Sequence, residues 1–336
     1  MTSAGPGPAR GATGVLVMAH GTPSTPAGIG PFYTAIRHGR PPTPELLGEL
    51  VGRYEAIGGT SPLAERTRAQ VEGLARALEA VGSGEFVVRH GAKYASPTIE
   101  DGVAALAASG VTRAVGIVLT PHQSALGSGE YFRRANEAAA LAPSLLELIP
   151  VPSWHRANGF AQVLADRTAA TLASLPPGKG ISTAVFFTAH SVPERVVTDD
   201  DPYANQVHES ASDIAALLAL DEVPGLSWGV AWQSAGRTTE SWIGPDLLLE
   251  IQRVAALGAT SVVVCPVGFV SDHLEILYDL DIEAAQVART AGVAFARTAS
   301  LNDDPRFLGI LADVVRDAAM NSPDGAPTVA GSTSSA

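Results

Sequence analysis

Residues 14–23 read Gly14-Val-Leu-Val-Met-Ala19-His20-Gly-Thr-Pro23, a short apolar run that stops at a polar, glycine-containing loop. A run this short, closed by turn residues, predicts a strand buried on both faces rather than a helix. The pattern recurs at Phe86–Tyr94, Ala114–Leu119, Ala184–Thr188, Leu226–Trp232 and Ser261–Cys265, with helical stretches between most of the runs. Strands alternating with helices imply βαβ units and an α/β fold with parallel strands. In such sheets ligands sit beyond the C-terminal ends of the strands, which is where His20 falls.

Two internal echoes point to a duplicated architecture. Met18-Ala-His20-Gly-Thr-Pro23 is answered by Thr188-Ala-His190-Ser-Val-Pro193, each ending an apolar strand. Gly110-Val-Thr112, a strand, then Thr120-Pro121-His122 is answered by Gly258-Ala-Thr260, a strand, then Cys265-Pro266-Val267. Two related halves, residues 13–152 and 153–320, follow from this order, with the boundary in the stretch Pro150–Asn158 that interrupts the regular pattern. The helix at about Pro305–Ala319 is expected to pack back on one of them. Residues 1–12 and 321–336 are small, polar and rich in Pro or Gly, and are expected to be flexible or disordered tails.

The chain of 336 residues is 46% hydrophobic but only 6% aromatic, which suits helices packed on parallel sheets. A formal net charge of −12 argues against non-specific nucleic-acid binding, which relies on an excess of Lys and Arg. An acidic protein still holds an acidic ligand through a local basic cluster, and Arg37, His38 and Arg40, followed by Arg53, form the densest one in the first half. One cysteine, Cys265, builds neither a disulfide framework nor a four-thiolate cluster within one chain. No signal peptide and no run of roughly 18 apolar residues is visible, so no membrane span is expected and a cytoplasmic location follows.

The common nucleotide and hydrolase signatures, G-x-G-x-x-G, the phosphate loop, H-E-x-x-H and G-x-S-x-G, are missing. What remains are polar residues at strand ends. His190 ends one strand. Glu275 lies beyond Cys265 on a segment, Ser271-Asp-His-Leu-Glu-Ile-Leu-Tyr-Asp-Leu-Asp-Ile-Glu283, that reads as a helix starting near Asp272. On it Glu275, Asp279 and Glu283 recur every four residues and line one face, either a solvated acidic stripe or the wall of a cleft. A histidine with carboxylates offers N and O ligands suited to a first-row divalent ion, and equally a hydrogen-bonded structural group.

The runs Tyr54-Glu-Ala-Ile-Gly-Gly-Thr-Ser61-Pro-Leu63, Thr188-Ala-His190-Ser-Val-Pro193 and Pro266-Val-Gly-Phe-Val-Ser-Asp-His-Leu-Glu275 resemble ferrochelatases, above all the monomeric coproporphyrin ferrochelatases of Gram-positive bacteria. The likeness extends from about Gly14 to Ala319 and takes in Ile36-Arg37-His-Gly-Arg40, Asp201-Pro-Tyr203, Trp232-Gln-Ser234 and Gly244-Pro-Asp246.

That resemblance implies two Rossmann-like domains, each with a four-stranded parallel sheet, and a porphyrin cleft between them. It implies ferrous iron and coproporphyrin III as substrates of haem biosynthesis, with no permanently bound cofactor. His190 and Glu275 match the iron-binding and catalytic pair, and Arg37, Arg53, Tyr54, Ser61 and Tyr131 match porphyrin-contacting positions. Asp279 and Glu283 match an acidic path leading away from the site.

Where the compared family members carry tyrosine in the first strand-end motif, this chain has His20, a candidate axial ligand or base, or a loop hydrogen-bonding group. With no cysteine in the tail, no iron–sulfur cluster is expected. A soluble monomer handing product to a later haem-pathway enzyme is the expected setting. Chelatases for another metal or tetrapyrrole share the fold, and a non-catalytic porphyrin carrier would keep the Arg and Ser contacts without needing both His190 and Glu275.

Overall fold

The computed structural model describes residues 11–80, 85–175, 182–198, 200–236 and 239–321. The tails expected at 1–12 and 321–336 therefore lie almost wholly outside the described residues.

Among the described residues, eight strands form two four-stranded sheets. The first contains β1 (Thr13–Ala19), β2 (Phe86–Ala92), β3 (Arg113–Val118) and β4 (Glu147–Val151) in the order β2-β1-β3-β4. The second contains β5 (Thr183–His190), β6 (Leu226–Gln233), β7 (Ser261–Cys265) and β8 (Ala294–Arg297) in the order β6-β5-β7-β8. Every pairing is parallel. The two sheets thus repeat one topology, as the sequence echoes imply. Even the small signals agree: Gly110 and Gly258, each just past a helix, both adopt the left-handed backbone, at φ 82° and 95°.

Six strands match the apolar runs, and β4 and β8 do not. Both are edge strands, where pairing on one side and partial exposure remove the need for an unbroken apolar sequence. Pro150 sits inside β4, a placement an edge tolerates because its missing N–H can face away from the ladder. The stretch that interrupts the sequence pattern is thus strand as far as Val151 and connection from there to the helix Phe160–Ser174.

One apolar core runs through both halves. Val15, Val17, Val115 and Ile117 of the first sheet join Val185, Phe187 and Val263 of the second through Trp154, Phe160 and Phe307. The helix Pro305–Asn321 packs on the helix Leu63–Ala80 and on β3 and β4, so it completes the first half although it follows the second in sequence. The approach is tight, because a Cβ on Gly73 would meet Leu308 Cδ1 at 2.2 Å. Polar contacts also cross between the halves. His122 Nε2 lies 2.9 Å from Ser210 Oγ, Gln206 Oε1 accepts from the Gln123 amide at 2.7 Å, and Gln70 Nε2 donates to the Asn302 carbonyl at 2.9 Å. Among the described residues no helix is long and apolar enough to cross a membrane.

Candidate active site

In each sheet the chain order reverses beside the central strand, between β1 and β3 in the first and between β5 and β7 in the second. Neighbouring loops there leave in opposite directions and open a crevice beyond the strand ends. His20 directly follows β1, His190 is the last residue of β5, and the segment after β7 carries His273 and Glu275.

Three imidazoles are oriented alike. His190 Nδ1 lies 2.5 Å from the Ser191 carbonyl, His273 Nδ1 2.9 Å from that of Ser271, and His20 Nδ1 3.2 Å from that of Gly21. A carbonyl only accepts, so each Nδ1 carries the donated hydrogen and each Nε2 is the nitrogen left for chemistry. For two of them that nitrogen meets Glu275: His190 Nε2 stands 3.5 Å from Oε1, and His273 Nε2 3.6 Å from Oε2. Burial works against charge on His190, but the Glu275 carboxylate and its hydrogen bond, the Ser191 carbonyl and Asp279 outweigh it and raise the imidazole to about 9. Burial likewise opposes ionisation of Glu275, yet His190 and His273 hold it well below the usual carboxylate range. Water reaches His20, but the surrounding walls strip much of its solvation. That loss keeps its imidazole below the ordinary value, against the pull of Glu275 and the Gly21 carbonyl.

A second layer fixes this cluster. The Tyr203 hydroxyl donates to the His190 carbonyl at 3.0 Å, and Asp201 accepts from the amides of Tyr203 and Ala125, both at 2.9 Å. Thr188 Oγ1 donates to Gln233 Oε1 at 2.8 Å, and Gln233 Nε2 reaches the Glu275 carbonyl at 3.3 Å. A Cβ on Gly268 would stand 2.6 Å from Ala189 Cβ, so the loop after β7 lies directly against the residue before His190.

The helix carrying Glu275 starts at Leu274, two residues later than expected, because the Asp272 carboxylate is engaged by Ser300 Oγ at 2.7 Å and Asn302 Nδ2 at 2.8 Å. After Leu277 the chain widens into a π-helix over Asp279–Ala284, with the Tyr278 carbonyl accepting from the amides of both Ile282 and Glu283. Such turns recur at functional sites. The expected acidic face is divided in its duties. Glu275 meets the histidines, Asp279 is 5% exposed and takes hydrogen bonds from Arg53 Nη2 and Ser234 Oγ, and Glu283 is half-buried further along. Burial, and after it the nearby Glu275 charge, pushes the Asp279 carboxyl up to about 6 despite the opposing pull of Arg53 and Ser234.

The residues expected on a porphyrin are placed differently from one another. Arg37 stands over the Tyr33 ring at 5.7 Å and donates to the Arg40 carbonyl at 3.3 Å, on a partly exposed turn. Arg53 stacks 4.7 Å over the Tyr278 ring while holding Asp279, which ties the basic cluster to the acidic row. Tyr54 is only 2% exposed, packed with Ile29 and Leu274, and its hydroxyl lies 3.4 Å from Thr22 Oγ1 in the loop after β1. Ser61 Oγ accepts from the Leu63 amide at 3.3 Å at the start of the helix Leu63–Ala80. Tyr131 is buried beneath Lys93, whose Nζ is 5.3 Å from the ring, and burial foremost keeps its phenol protonated as a donor. Sequence reasoning missed His273, which stands two positions before Glu275 on an extended backbone, with φ −157°, at the helix cap.

Comparisons with known proteins bear on the fold and the family. Among solved structures, SirB from Bacillus subtilis with Fe3+ superposes with a TM-score of 0.53 at 15% identity, covering 93% of this chain and 97% of that one. CbiX, the terminal enzyme for biosynthesis of siroheme in denitrifying bacteria, gives 0.50 at 14% identity, covering 90% and 98%. At these identities the likeness establishes a chelatase-type fold. In sequence, a coproporphyrin III ferrochelatase of Listeria innocua is 40% identical over 91% of this chain and 97% of its own. One of Anoxybacillus flavithermus is 42% identical over 90% and 95%, and a ferrochelatase of Herpetosiphon aurantiacus is 38% identical over 90% and 98%. With the Ferrochelatase family model matching residues 12–319, the span that carries both sheets and every strand-end group described above, the chain belongs to the ferrochelatase family.

Proposed function

We propose that this chain inserts ferrous iron into coproporphyrin III, releasing two protons and giving iron coproporphyrin III for haem biosynthesis. The observation that carries the reading is the meeting of His190 and His273 on the two oxygens of Glu275 beyond the ends of β5 and β7. His190 with Glu275 offers N and O donors suited to a first-row divalent ion, and His273 steadies the carboxylate by its other oxygen. Relatives at 40% and 42% identity that bear the name coproporphyrin III ferrochelatase support the substrate pair.

The chemistry follows from the groups present. His190 is protonated against ionised Glu275 when no metal is bound, so iron and a proton compete for the same nitrogen, and loading iron releases that proton. Glu275 then stays as the negative partner of the cation. The porphyrin must lose two pyrrole protons; a neutral imidazole on the first sheet is an acceptor, and His190 becomes one only after its own proton has left and the iron has passed on to the macrocycle. His20, held neutral and offering Nε2, is the acceptor or axial ligand from the first sheet. A cleft that binds a puckered macrocycle better than a flat one lowers the barrier by differential binding.

The carboxylates of coproporphyrin fall to Arg37 and Arg53 as forked donors and to Ser61 and Tyr131 as single ones, with Tyr54 fixing the loop beside His20. Glu275, Asp279 and Glu283 form the acidic path that leads iron toward the site. In this reading the protein is a cytoplasmic monomer with no resident cofactor or iron–sulfur cluster, and it passes its product to a later enzyme of the pathway.

The test is anaerobic ferrous insertion into coproporphyrin III and protoporphyrin IX, followed by absorbance, for wild type and His190→Ala. Rapid metallation of coproporphyrin III that is lost in the variant supports the reaction and the site. Tight porphyrin binding without metallation by wild type points to a carrier, and faster turnover of protoporphyrin IX reassigns the substrate.

A further inference from the structure

Asp279 is engaged in a way that serves more than cation transfer. Its two oxygens are both taken, one by Arg53 Nη2 and the other by Ser234 Oγ, and it lies in the protein interior. Arg53 comes from the helix Pro44–Ala56 of the first half, whereas Ser234 and Asp279 belong to the second. Ser234 directly follows β6 and adopts a left-handed backbone, φ 61°, which a residue with a Cβ occupies at a cost. Arg53 is also stacked on Tyr278, the neighbour of Asp279, so its guanidinium plane is fixed from two directions. Yet it is not used up. Its Nε is buried without an acceptor, and 27% of the side chain remains open.

A planar fork of five donors, held at one Nη and across one face, presents its remaining donors in a fixed direction. Fixing the fork in advance lowers the ordering entropy that binding a carboxylate would otherwise cost. We propose that Ser234 and Asp279 are positioning residues that hold Arg53 as a ready-made receptor for a substrate carboxylate, so that they set affinity for carboxylated porphyrins. The inference rests on the porphyrin reading above.

Two simpler accounts make opposite predictions. If Asp279 acts on the substrate only through its charge, removing that charge tightens binding of an anionic porphyrin. If it serves only the cation, porphyrin binding does not change.

The experiment is fluorescence titration with metal-free coproporphyrin III and with its tetramethyl ester, which lacks charged carboxylates. The proteins compared are wild type, Asp279→Asn, Ser234→Gly and Ser234→Asn. Glycine keeps the left-handed backbone and removes the hydroxyl, whereas asparagine tolerates that backbone and restores a donor. Positioning is supported by a rise of about 5- to 20-fold in the Kd for coproporphyrin III in Asp279→Asn and Ser234→Gly, substantial recovery in Ser234→Asn, and ester binding unchanged within twofold. It is overturned by tighter binding, by no change, or by equal losses for the ester.

A crystal structure of wild type with coproporphyrin III needs no variant to fold. Arg53 should bridge Asp279 and a propionate, and an Arg53 that contacts no propionate overturns the proposal. Wild type that binds coproporphyrin III but gives the wrong variant pattern sinks this inference alone, whereas wild type that binds no porphyrin removes the functional reading with it.

Discussion

His273 Nε2 stands 3.6 Å from Glu275 Oε2, on the oxygen opposite the one that faces His190. This second imidazole holds the carboxylate by its other oxygen. Replacing His273 with alanine should raise the KM for ferrous iron by roughly 10- to 100-fold, the loss common when a group supporting a metal ligand is removed. Affinity for metal-free coproporphyrin III should stay within about twofold. Steady-state kinetics with iron varied, alongside fluorescence titration of the porphyrin, separates the two effects. A variant with unchanged iron dependence would leave His273 a structural cap.

His20 follows β1 with Nδ1 on the Gly21 carbonyl, which leaves Nε2 for chemistry, and loss of solvation holds its imidazole below the ordinary value. A phenolate is a harder, charged ligand to iron than an imidazole. His20→Tyr should therefore shift the absorption bands of bound iron coproporphyrin III and change its dissociation rate at least threefold. Stopped-flow transfer of product to an apo-haem acceptor measures the rate, and identical spectra and rates for both proteins would confine His20 to the loop.

Gly268 is placed where no side chain fits, because a Cβ there would lie 2.6 Å from Ala189 Cβ and 2.9 Å from its Cα. Backbone must move to admit even a methyl group, and the backbone in question leads into His190. We expect Gly268→Ala to lose about 1–3 kcal/mol of stability in urea and to lower kcat more than tenfold, since overpacking shifts the strand end. A variant with lowered stability but full kcat would show that the loop, not the strand, gives way.

His122 is 1% exposed, and burial foremost, with the His155 charge behind it, lowers its pKa to about 3. The unfolded chain takes up this proton near pH 6.5 and the folded chain does not, so protonation favours unfolding across that window. The contribution is complete above pH 6.5 and is lost progressively as pH falls toward 3, by up to about 5 kcal/mol. His122→Gln should flatten the dependence of urea stability on pH between 6.5 and 4. An unaltered slope would assign acid sensitivity to other groups.

What could be read from the sequence follows physical distance along the chain. Central strands such as β1 and β7 are covered on both faces, so their residues had to be apolar and the runs are visible. The edge strands β4 and β8 carry no such requirement, and Pro150 argues locally against a strand that exists. His190 and Glu275 are legible as candidates because each stands next to a recognisable run. Arg53 and Asp279 each stand out in the sequence, but for separate duties. Their pairing spans 226 positions, and no local pattern carries it. His273 lies inside a recognisable run, but a helix starting at Asp272 would place it among ordinary helical positions, and only the later start at Leu274 sets it apart.

The helix Pro305–Asn321 has a consequence for how the protein is made. Phe307, Leu311 and Val315 fill the outer face of a sheet whose strands leave the ribosome much earlier. Until that helix emerges, Leu74, Leu78 and Val115 lack its cover. The first half therefore cannot mature as an independent unit during synthesis. Both walls of the cleft are completed together, once this helix has been made, and a nascent chain stalled before Pro305 would expose apolar surface to chaperones and proteases instead of offering half a binding site.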